Sequence, residues 1–481
     1  MKEGRYGFIL ETIKLSDVLA LLHKECGKDC ILQGISDDSR RVEKNWLFIS
    51  HKDTYLHQMM HIQEALSKGA VVFCEYALEF ENVYVISNIE QVQKEILKFY
   101  YGDLCENIKV IGISGTNGKT TTACFLTQIL KKEGYKVLRI GTHLVDMNGD
   151  KQEIRNTTPD MYILAELFHE ALQKQITHVV MEVSSHAIDQ KRIGLLRFDL
   201  ILYTNISSDH LDYHFTQVHY RYTKFKLHQY LKKGGKIIIN DDGVYTDELL
   251  HVNHKNCIIV GNQSCHVVID HQKHSKEGVS MQVQGIPFTT SLLGKWNVYN
   301  VALCITSCRI LGISYEKLQE DVKELNSEKG RMEVICQEPC TAIIDYAHTA
   351  SSLKEVLSYC KGICSGKLYC IIGCGGNRDK KKRSHMAQIA MIYSNIAFFT
   401  ADNPRNEKVS SILLDMLEAG GENYMVFENR KYAIKHCFNI AQKNDIIVIA
   451  GKGAESTQEI DGVFYPYNDE DFVKELFHKE E

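Results

Sequence analysis

The residues that decide the fold are Lys109-Val110-Ile111-Gly112-Ile113-Ser114-Gly115-Thr116-Asn117-Gly118-Lys119-Thr120-Thr121. Residues 109–114 are mostly apolar, which is typical of a buried strand, and residues 122–131 have a helical pattern. In a glycine-containing loop between strand and helix, the backbone N–H groups and the helix N-terminus face a bound phosphate, and a lysine supplies a cation. The stretch therefore predicts a nucleotide phosphate site in which the hydroxyl of Thr120 ligates Mg²⁺.

The spacing of this loop departs in one place from the general phosphate-loop pattern, because Ile113 occupies the position of the first glycine. A tight strand–helix turn that binds no nucleotide is the alternative interpretation. The co-occurrence of two glycines, Lys119 and Thr120 between a strand and a helix favours the phosphate site. The residues expected to contact the nucleotide are Gly115, Thr116, Asn117, Gly118, Lys119, Thr120 and Thr121.

Outward from this loop, strand and helix patterns alternate along the chain, which is typical of parallel α/β sheets. The changes in pattern predict three domains, at residues 1–105, 106–329 and 330–481. We expect a small N-terminal α/β domain, a central P-loop ATPase-like domain with a mainly parallel sheet, and a C-terminal Rossmann-like α/β domain. Central strands are predicted at residues 109–114, 178–183, 198–203 and 236–239, with an antiparallel patch between residues 257 and 293.

The composition predicts a globular chain, since 44% of the 481 residues are hydrophobic and 24% are charged. A net charge of −5 provides no basic field, so we expect no nucleic-acid partner. No apolar run is long enough for a membrane span, and residues 1–6 do not begin a signal peptide. We therefore expect a cytoplasmic monomer without membrane insertion. The 16 cysteines are scattered over different predicted elements, which favours reduced core thiols over a metal site or disulfides.

Two polar residues follow neighbouring apolar strands of the predicted central domain. Glu182 lies in residues 181–186 (MEVSSH) and His210 in residues 209–214 (DHLDYH). Ligands gather at the carboxyl ends of strands in open α/β sheets, so this carboxylate and imidazole are placed to hold a divalent ion beside the nucleotide phosphates. Taken singly, each segment is equally well explained as a capped strand terminus.

Together these segments resemble the Mur ligases, ATP-dependent enzymes that join amino acids to a UDP-linked muramic acid. The resemblance rests on residues 115–121 (GTNGKTT), the two segments above and residues 220–224 (YRYTK). It implies that the loop binds ATP and that the catalytic residues are Lys119, Glu182, His210 and Lys224. It also implies that Lys224 becomes a carbamate and holds Mg²⁺ with Thr120, Glu182 and His210. Without the family motif, Lys224 would pass for a solvated helix lysine.

The resemblance extends to residues expected to bind UDP-MurNAc-peptide. Residues 156–159 (NTTP), 184–192 (SSHAIDQKR) and 37–42 (DDSRRV) match the segments concerned, the last on the uridine side. The residues implied are Ser39, Asn156, Thr157, Thr158, Ser184, Gln190 and Arg192. The charge of Arg192 suits an anionic substrate, whereas Thr157 and Thr158 alone would suggest a helix N-cap before Asp160.

Three further residues are implied to bind ATP. They are Asn297 in residues 294–300 (GKWNVYN), Arg331 in residues 330–335 (GRMEVI) and Asp345 in residues 345–349 (DYAHT). The last two belong to the third predicted domain, so their contacts with ATP require the domains to close, which also excludes water from a reactive intermediate.

Residues 402–405 (DNPR) look like the motif of the MurE-type ligases that add meso-diaminopimelate. Diaminopimelate has a second carboxylate that lysine lacks, and an arginine fork can bind it in two places. The residues implied to bind meso-diaminopimelate are Arg378, Asp402, Asn403, Pro404, Arg405, Gly451 and Glu455. The implied reaction is the ADP-forming addition of meso-diaminopimelate to UDP-MurNAc-L-Ala-D-Glu through an acyl-phosphate, a step of peptidoglycan precursor synthesis.

Four departures from the family pattern leave other functions open. Phe215 replaces a glycine, Asn377 an aspartate and Ala454 a histidine, and residues 54–58 (TYLHQ) replace a glycine-bearing turn. One alternative is a paralogous ligase that adds another amino acid, such as L-lysine, or acts on another substrate. Another is a nucleotide-binding regulator without ligase chemistry, although the four predicted catalytic side chains argue against it. A GTPase is disfavoured because the sequence lacks an N-K-x-D-type guanine motif.

Overall fold

The computed structural model describes residues 13–50, 55–154, 156–207, 210–241, 245–253, 256–262, 265–336, 338 and 340–478. Its strands form three mainly parallel sheets, which follow one another along the chain, and one separate hairpin. We name the layers built on these sheets the N-terminal unit, the central unit and the C-terminal unit. The predicted α/β fold class is confirmed. Thr54 and Asp209, which belong to two of the segments discussed above, lie outside the described residues.

The N-terminal unit carries a four-stranded parallel sheet. Its elements are α1 (Leu15–Leu21), β1 (Gly34–Ser36), β2 (Trp46–Ile49), α2 (Tyr55–Ser67), β3 (Val71–Cys74), β4 (Val83–Val85) and α3 (Ile89–Tyr101). The strands pair in sequence order. Helix α3 buries Ile89, Val92 and Ile96, which are spaced three and four residues apart and so form one apolar stripe. These side chains belong to the same hydrophobic core as residues of the central unit, so the two units pack on each other directly.

The central unit carries an eleven-stranded sheet. Its first elements are β5 (Lys109–Ser114), α4 (Lys119–Lys132), β6 (Val137–Gly141), β7 (Leu144–Met147), β8 (Asp150–Gln152), α5 (Met161–Gln173), β9 (His178–Glu182), α6 (Ser185–Asp189), β10 (Phe198–Tyr203), α7 (Leu211–His214) and α8 (Gln217–Phe225). It continues with β11 (Leu231–Asn240), α9 (Thr246–Asn253), β12 (Cys257–Gly261), β13 (Val267–Ser275), β14 (Gly278–Val283), β15 (Ile286–Thr290), α10 (Asn297–Ile310) and α11 (Tyr315–Lys323).

The strand order of the central sheet brings three functional segments to one edge. The order is β15-β14-β13-β12-β11-β10-β5-β9-β6-β7-β8, so β5 lies between β10 and β9 and is parallel to both. Ser114 is the partner of Tyr203, and Ile113 is the partner of Glu182. The carboxyl ends of β5, β9 and β10 therefore meet, and this is where ligands bind in open parallel sheets.

The C-terminal unit carries a six-stranded sheet in which only the first strand is antiparallel to its neighbour. Its elements are β16 (Glu333–Cys336), β17 (Thr341–Asp345), α12 (Ala350–Ile363), β18 (Leu368–Cys374), α13 (Lys381–Tyr393), β19 (Ile396–Ala401), α14 (Val409–Leu417), β20 (Tyr424–Phe427), α15 (Arg430–Ile440), β21 (Ile446–Ala450), β22 (Thr457–Ile460), β23 (Val463–Pro466) and α16 (Asp469–His478). Its order is β16-β17-β21-β18-β19-β20, and β22 and β23 form the separate hairpin.

Several predicted boundaries differ from those observed. The strands expected at residues 109–114 and 198–203 have those bounds, and the predicted antiparallel patch is formed by β13, β14 and β15. Helix α4 begins at Lys119 rather than at residue 122, because the left-handed Gly118 (φ 83°) ends the loop immediately before it. Strand β11 begins at Leu231 rather than at residue 236, because Leu231 pairs with Phe198 across an irregularity in the register.

The cysteines lie mostly in the hydrophobic core and form no disulfide among the described residues. All cysteines are free thiols, as predicted, and most are buried. Over the part of the chain that the structure describes, no helix combines the length and apolar character needed to cross a bilayer.

An ion pair joins the N-terminal unit to helix α5 of the central unit. Arg41 Nη2 lies 3.1 Å from Glu166 Oε2, and the Glu166 side chain is buried. Burial raises the pKa of Glu166 to about 7, against the opposing effect of the Arg41 guanidinium. The effect of burial on the pKa of Glu166 is therefore larger than the opposing effect of the ion pair with Arg41.

This raised pKa predicts that Glu166 weakens the protein as the pH rises. The folded carboxyl binds its proton more tightly than the unfolded one, so its stabilising contribution is complete below about pH 4.5 and is lost as the pH rises through 7. Relative to Glu166→Gln, the wild type is expected to lose at most about 3 kcal/mol over this range, a few degrees in the midpoint of thermal unfolding. Midpoints measured between pH 4.5 and 8 test this, with Glu170→Gln on the same helix as the control. A difference that does not vary with pH would contradict it.

Candidate active site

In the phosphate loop, residues 114–121, the side chain of Lys119 folds back and contacts backbone carbonyl groups of the loop. Lys119 begins helix α4, and its Nζ donates to Gly115 O and Thr116 O at 2.9 Å each. Gly118 is left-handed, and a Cβ added to it would lie 2.8 Å from Asn300 Oδ1. Only glycine fits there without displacing Asn300. The loop therefore presents the N-terminus of a long helix and an ammonium group on one side, as a phosphate site requires.

The end of β10 fixes the outer part of the loop. Asn117 N donates to Asn205 Oδ1 at 3.0 Å, and Thr204 Oγ1 donates to Asn117 O at 2.6 Å. The hydroxyls of Thr116 and Tyr220 lie 3.1 Å apart. Thr116 and Asn117 thus use their side chains and backbone partly to hold the loop shape.

Glu182 supplies a buried carboxylate beside this loop, at the end of β9. Its Oε2 accepts a hydrogen bond from Thr120 Oγ1 at 2.9 Å, and its Oε1 accepts one from Thr142 N at 2.9 Å. The structure therefore brings together two of the residues predicted to ligate Mg²⁺. A carboxylate and a hydroxyl are hard oxygen ligands of the kind that Mg²⁺ takes, so the donor set fits this ion.

His210 and Lys224 approach the loop from the opposite side, through Tyr220. Lys224 is 2% exposed rather than solvated, because α8 packs it against the loop, where its Nζ donates to Gly115 O at 2.8 Å. The same Nζ lies 4.8 Å from the centre of the Tyr220 ring, and the His210 ring lies 6.3 Å from that ring. His210 has a φ of 51°, a strained conformation that is frequent at functional sites. Lys119, Glu182 and Lys224 thus contact the phosphate loop directly. His210 is exposed and lies next to Tyr220, whose hydroxyl is 3.1 Å from that of Thr116 in the loop.

The predicted peptide-binding turn adjoins Glu182. The buried Thr158 donates its hydroxyl to Glu182 O at 2.9 Å and accepts from Ser184 N at 3.0 Å. Arg192 Nη1 donates to Thr158 O at 2.9 Å, and its Nε donates to Gln190 Oε1 at 2.8 Å. Burial lowers the pKa of Arg192. A desolvated guanidinium beside the end of β9 suits an anionic group brought towards the loop.

The remaining residues assigned to the peptide have different settings. Thr157 Oγ1 lies 3.2 Å from Thr142 Oγ1, and Asn156 is exposed on the turn. Asp160 caps α5 by accepting from Tyr162 N and Ile163 N, so the threonines are not the N-cap. Ser39 lies in the N-terminal unit, where its hydroxyl donates to Glu64 Oε2 at 2.6 Å.

The residues assigned to ATP outside the loop belong to two units. Asn297 begins α10 and accepts from Asn300 Nδ2 at 2.9 Å, which links it to the wall behind Gly118. Arg331 stacks over the Tyr346 ring, with its Cζ 4.4 Å from the ring centre. The buried Asp345 accepts from Met332 N and Ala347 N at 2.8 Å each, and burial raises its pKa.

A second cluster of polar side chains lies at the ends of β19 and β21. Asn403 Nδ2 donates to Glu455 Oε2 at 2.8 Å, and the buried Lys452 donates to the same oxygen at 2.8 Å. Burial raises the pKa of Asp402. Gly451 follows β21 with a φ of 107°, and a Cβ there would lie 2.9 Å from Asp402 Oδ2. Asp402, Asn403, Gly451 and Glu455 are thus brought together, as the sequence predicts.

Arg405 lies at the rim of the same cluster, after the buried Pro404. Its φ is 51°, its Nε lies 3.0 Å from Glu459 Oε2, and its Nη1 donates to Gly376 O at 2.8 Å. Arg378 is exposed two residues beyond Gly376. The two arginines therefore belong to loops that touch each other.

A buried arginine and its carboxylate partner connect the loop that contains Arg378 to the loop that contains Arg405. Arg383 is fully buried and pairs with Glu407 Oε1 at 2.9 Å, and Glu407 in turn accepts from Asn377 N at 2.5 Å. The bonds from Arg383 hold the pKa of Glu407 down at about 2, so this carboxylate stays charged.

Four residues that contact the predicted site residues were missed by sequence reasoning. They are Thr142, Tyr220, Asn300 and Lys452. Asn300 ends the quoted segment 294–300, Tyr220 opens the segment that contains Lys224, and Lys452 lies between the predicted Gly451 and Glu455, so each position offered a signal. Thr142 had none, because only the pairing of β6 with β9 places it beside Glu182.

Comparison with protein families agrees with this layout. The profile of the Mur ligase middle domain matches residues 113–308, and that of the Mur ligase glutamate ligase domain matches residues 330–453. These ranges contain the phosphate loop, Glu182, Lys224 and most of the second polar cluster.

Relatives that match nearly the whole chain share one name, UDP-N-acetylmuramoyl-L-alanyl-D-glutamate–2,6-diaminopimelate ligase. The Bacillus cereus protein is 33% identical over 92% of this chain and 94% of its own length. The Aquifex aeolicus protein is 35% identical over 92% of this chain and 93% of its own. A solved structure of such a ligase has a TM-score of 0.69 at 29% identity and covers 98% of this chain and 99% of its own. MurF from Acinetobacter baumannii, with a TM-score of 0.66 at 16% identity over 98% of this chain and 100% of its own, shares the fold.

Proposed function

Because this chain belongs to the Mur ligase family, we propose that it adds meso-diaminopimelate to UDP-MurNAc-L-Ala-D-Glu, with cleavage of ATP to ADP and phosphate. The observation that carries the proposal is the hydrogen bond from Thr158 to Glu182 O. It joins the turn assigned to the peptide to the strand end that faces the phosphate loop. A peptide carboxylate held by this turn and by Arg192 therefore lies next to the nucleotide phosphates.

The first chemical step activates this carboxylate. An oxygen of the D-glutamate side chain attacks the γ-phosphorus of ATP, and ADP leaves. Lys119 and the loop N–H groups stabilise the negative charge that spreads over the transferred phosphoryl group. A carboxylate oxygen is a poor leaving group and phosphate is a good one, so the acyl-phosphate makes the carbonyl open to attack.

The metal site of the proposal comprises Thr120, Glu182, His210 and Lys224, the last as a carbamate. Mg²⁺ bound there would neutralise phosphate charge and orient the reacting oxygens. The position of Lys224 supports carbamylation, because the buried side chain brings its Nζ to 2.8 Å from Gly115 O, where a carbamate would lie beside the phosphate loop. The ammonium group loses one proton to give the amine, and the amine then adds to CO₂ and releases a second proton, so that a cation beside Gly115 O becomes an anionic metal ligand.

The acceptor amino acid belongs to the second polar cluster in the C-terminal unit. In this proposal Glu455 accepts from an ammonium group and Arg405 binds the far carboxylate, each in exchange for a partner that it has in the structure, Asn403 and Glu459. The bound amine attacks the acyl carbonyl, and the tetrahedral intermediate expels phosphate. We further propose that the protein is a cytoplasmic monomer. Its domains are residues 1–105, 106–329 and 330–481, so that Arg331 lies at the start of the third domain.

Phosphate release tests the proposal directly. The reaction contains ATP, Mg²⁺ and UDP-MurNAc-L-Ala-D-Glu, with meso-diaminopimelate, L-lysine or no amino acid. Release that requires meso-diaminopimelate is expected. Release with lysine instead would mean that Ala454 and the neighbouring departures have changed the selectivity. The absence of release with every acceptor would contradict the proposed substrate pair.

Arg405→Ala should weaken the binding of meso-diaminopimelate selectively. The change removes a two-pronged, charge-assisted contact, so the KM for diaminopimelate is expected to rise about 30- to 100-fold while that for ATP stays nearly constant. Steady-state kinetics with each substrate varied in turn measure this, and the exposed Lys408→Ala serves as the control. An equal rise in both KM values would contradict the assigned role.

Lys224→Ala should abolish turnover, with kcat reduced about 1,000-fold or more, because a metal ligand and a loop contact are both lost. Added short carboxylates such as formate or acetate are expected to restore part of the activity by replacing the carbamate. The matched control is Lys226→Ala, which removes an exposed lysine two residues away. Full activity of the Lys224 variant would refute its role.

A further inference from the structure

The segment that connects the central unit to the C-terminal unit, residues 326–331, is bound at both ends. At its start, Asn326 N donates to Gln128 Oε1 at 3.0 Å, and Gln128 Nε2 donates to Asn326 O at 2.9 Å. At its end, Gly330 (φ 67°) packs against the backbone of Ala454 with no room for a Cβ, and Arg331 stacks on Tyr346. The six residues of this connecting segment thus run from a contact with helix α4 to the loops of the C-terminal unit.

A buried ion pair holds the middle of the connecting segment. Glu328 Oε2 lies 2.5 Å from Nη1 of Arg139, which belongs to β6 and is 6% exposed. Nη2 of the same guanidinium donates to Thr120 O at 3.3 Å, and Thr120 Oγ1 donates to Glu182 Oε2 at 2.9 Å. Arg139 therefore connects the interdomain segment to the first turn of the phosphate-loop helix and, through it, to the carboxylate assigned to the metal.

The rest of the surroundings of Arg139 does not replace Glu328. The residue directly opposite Arg139 on β7 is Asp146, and its carboxylate already pairs with Lys131 Nζ at 3.0 Å. Removing the carboxylate of Glu328 therefore leaves the buried guanidinium without its ion-pair partner, which is costly.

We propose that Arg139 and Glu328 are a positioning pair for the ligase reaction, an inference that rests on the proposed function. Neither residue is among those assigned to a substrate. The pair fixes where the connecting segment leaves the central unit, so that Arg331 is presented to the nucleotide. Movement of the C-terminal unit is thereby confined to residues 329–331, beyond the anchored Glu328.

Limited proteolysis measures the anchoring without any need for activity. Lys329 follows Glu328 directly, and its side chain is 70% exposed, so a lysine-specific protease reports how firmly the segment is held. Glu328→Gln and Arg139→Met are each expected to speed cleavage after Lys329 about tenfold, as followed by mass spectrometry. The double variant should be cleaved no faster than the faster single one, because one interaction is lost in all three.

The matched control is Glu133→Gln. Glu133 follows the last residue of α4, and its Oε2 pairs with Lys317 Nζ at 2.6 Å. The chemical change is therefore the same as in Glu328→Gln, but the connecting segment is not touched. Cleavage after Lys329 in this variant is expected at the wild-type rate.

Steady-state kinetics supply the second readout. Both single variants should lose about tenfold in kcat with the KM for ATP changed less than about twofold, because the loop still binds the nucleotide while the reactive arrangement forms less often. Wild-type cleavage and kcat, with only a lower midpoint of thermal unfolding, would overturn the proposal by assigning the pair to stability alone. A wild-type protein without ligase activity would contradict the proposed function, whereas cleavage after Lys329 would still decide the anchoring.

Discussion

Two ammonium groups converge on one backbone oxygen, and the candidate active site is organised around this constraint. Nζ of Lys119 and Nζ of Lys224 donate to Gly115 O at 2.9 and 2.8 Å. Like charges held this close repel each other strongly where water is partly excluded. A bound phosphate relieves the repulsion by adding negative charge, and the carbamate proposed for Lys224 relieves it by removing a positive charge. Substrate binding and lysine modification thus answer the same electrostatic problem.

The sequence predicted the parts of this site that depend on local pattern. The strand–loop–helix context placed the phosphate loop, and the ends of apolar strands placed Glu182. What could not be predicted came from contacts between distant segments. The burial of Lys224 depends on how α8 packs on the loop, and the place of Thr142 depends on the register between β6 and β9. The use of Ser39 inside its own unit likewise depends on the fold, because Glu64 is far from it in sequence.

The second polar cluster is stabilised by its own charges. Glu455 accepts from Lys452, Glu459 pairs with Arg405, and Glu407 pairs with Arg383. In the proposed function, an amino acid that carries both ammonium and carboxylate groups would therefore exchange partners with existing ion pairs. Selectivity in such a pocket depends on how well the newcomer replaces these bonds, since any group left unpaired in a buried setting is costly.

The shape of the phosphate loop is completed by an amide that arrives from much later in the chain. Asn300, on α10, faces the left-handed Gly118 and also accepts from Thr122 Oγ1 of α4 at 3.3 Å. The seven residues 115–121 consequently do not form the complete phosphate loop on their own. Grafted onto another α/β scaffold, they would carry the glycines and the lysine but not Asn300, which lies against Gly118. The short string by itself therefore does not supply the whole environment of the left-handed glycine.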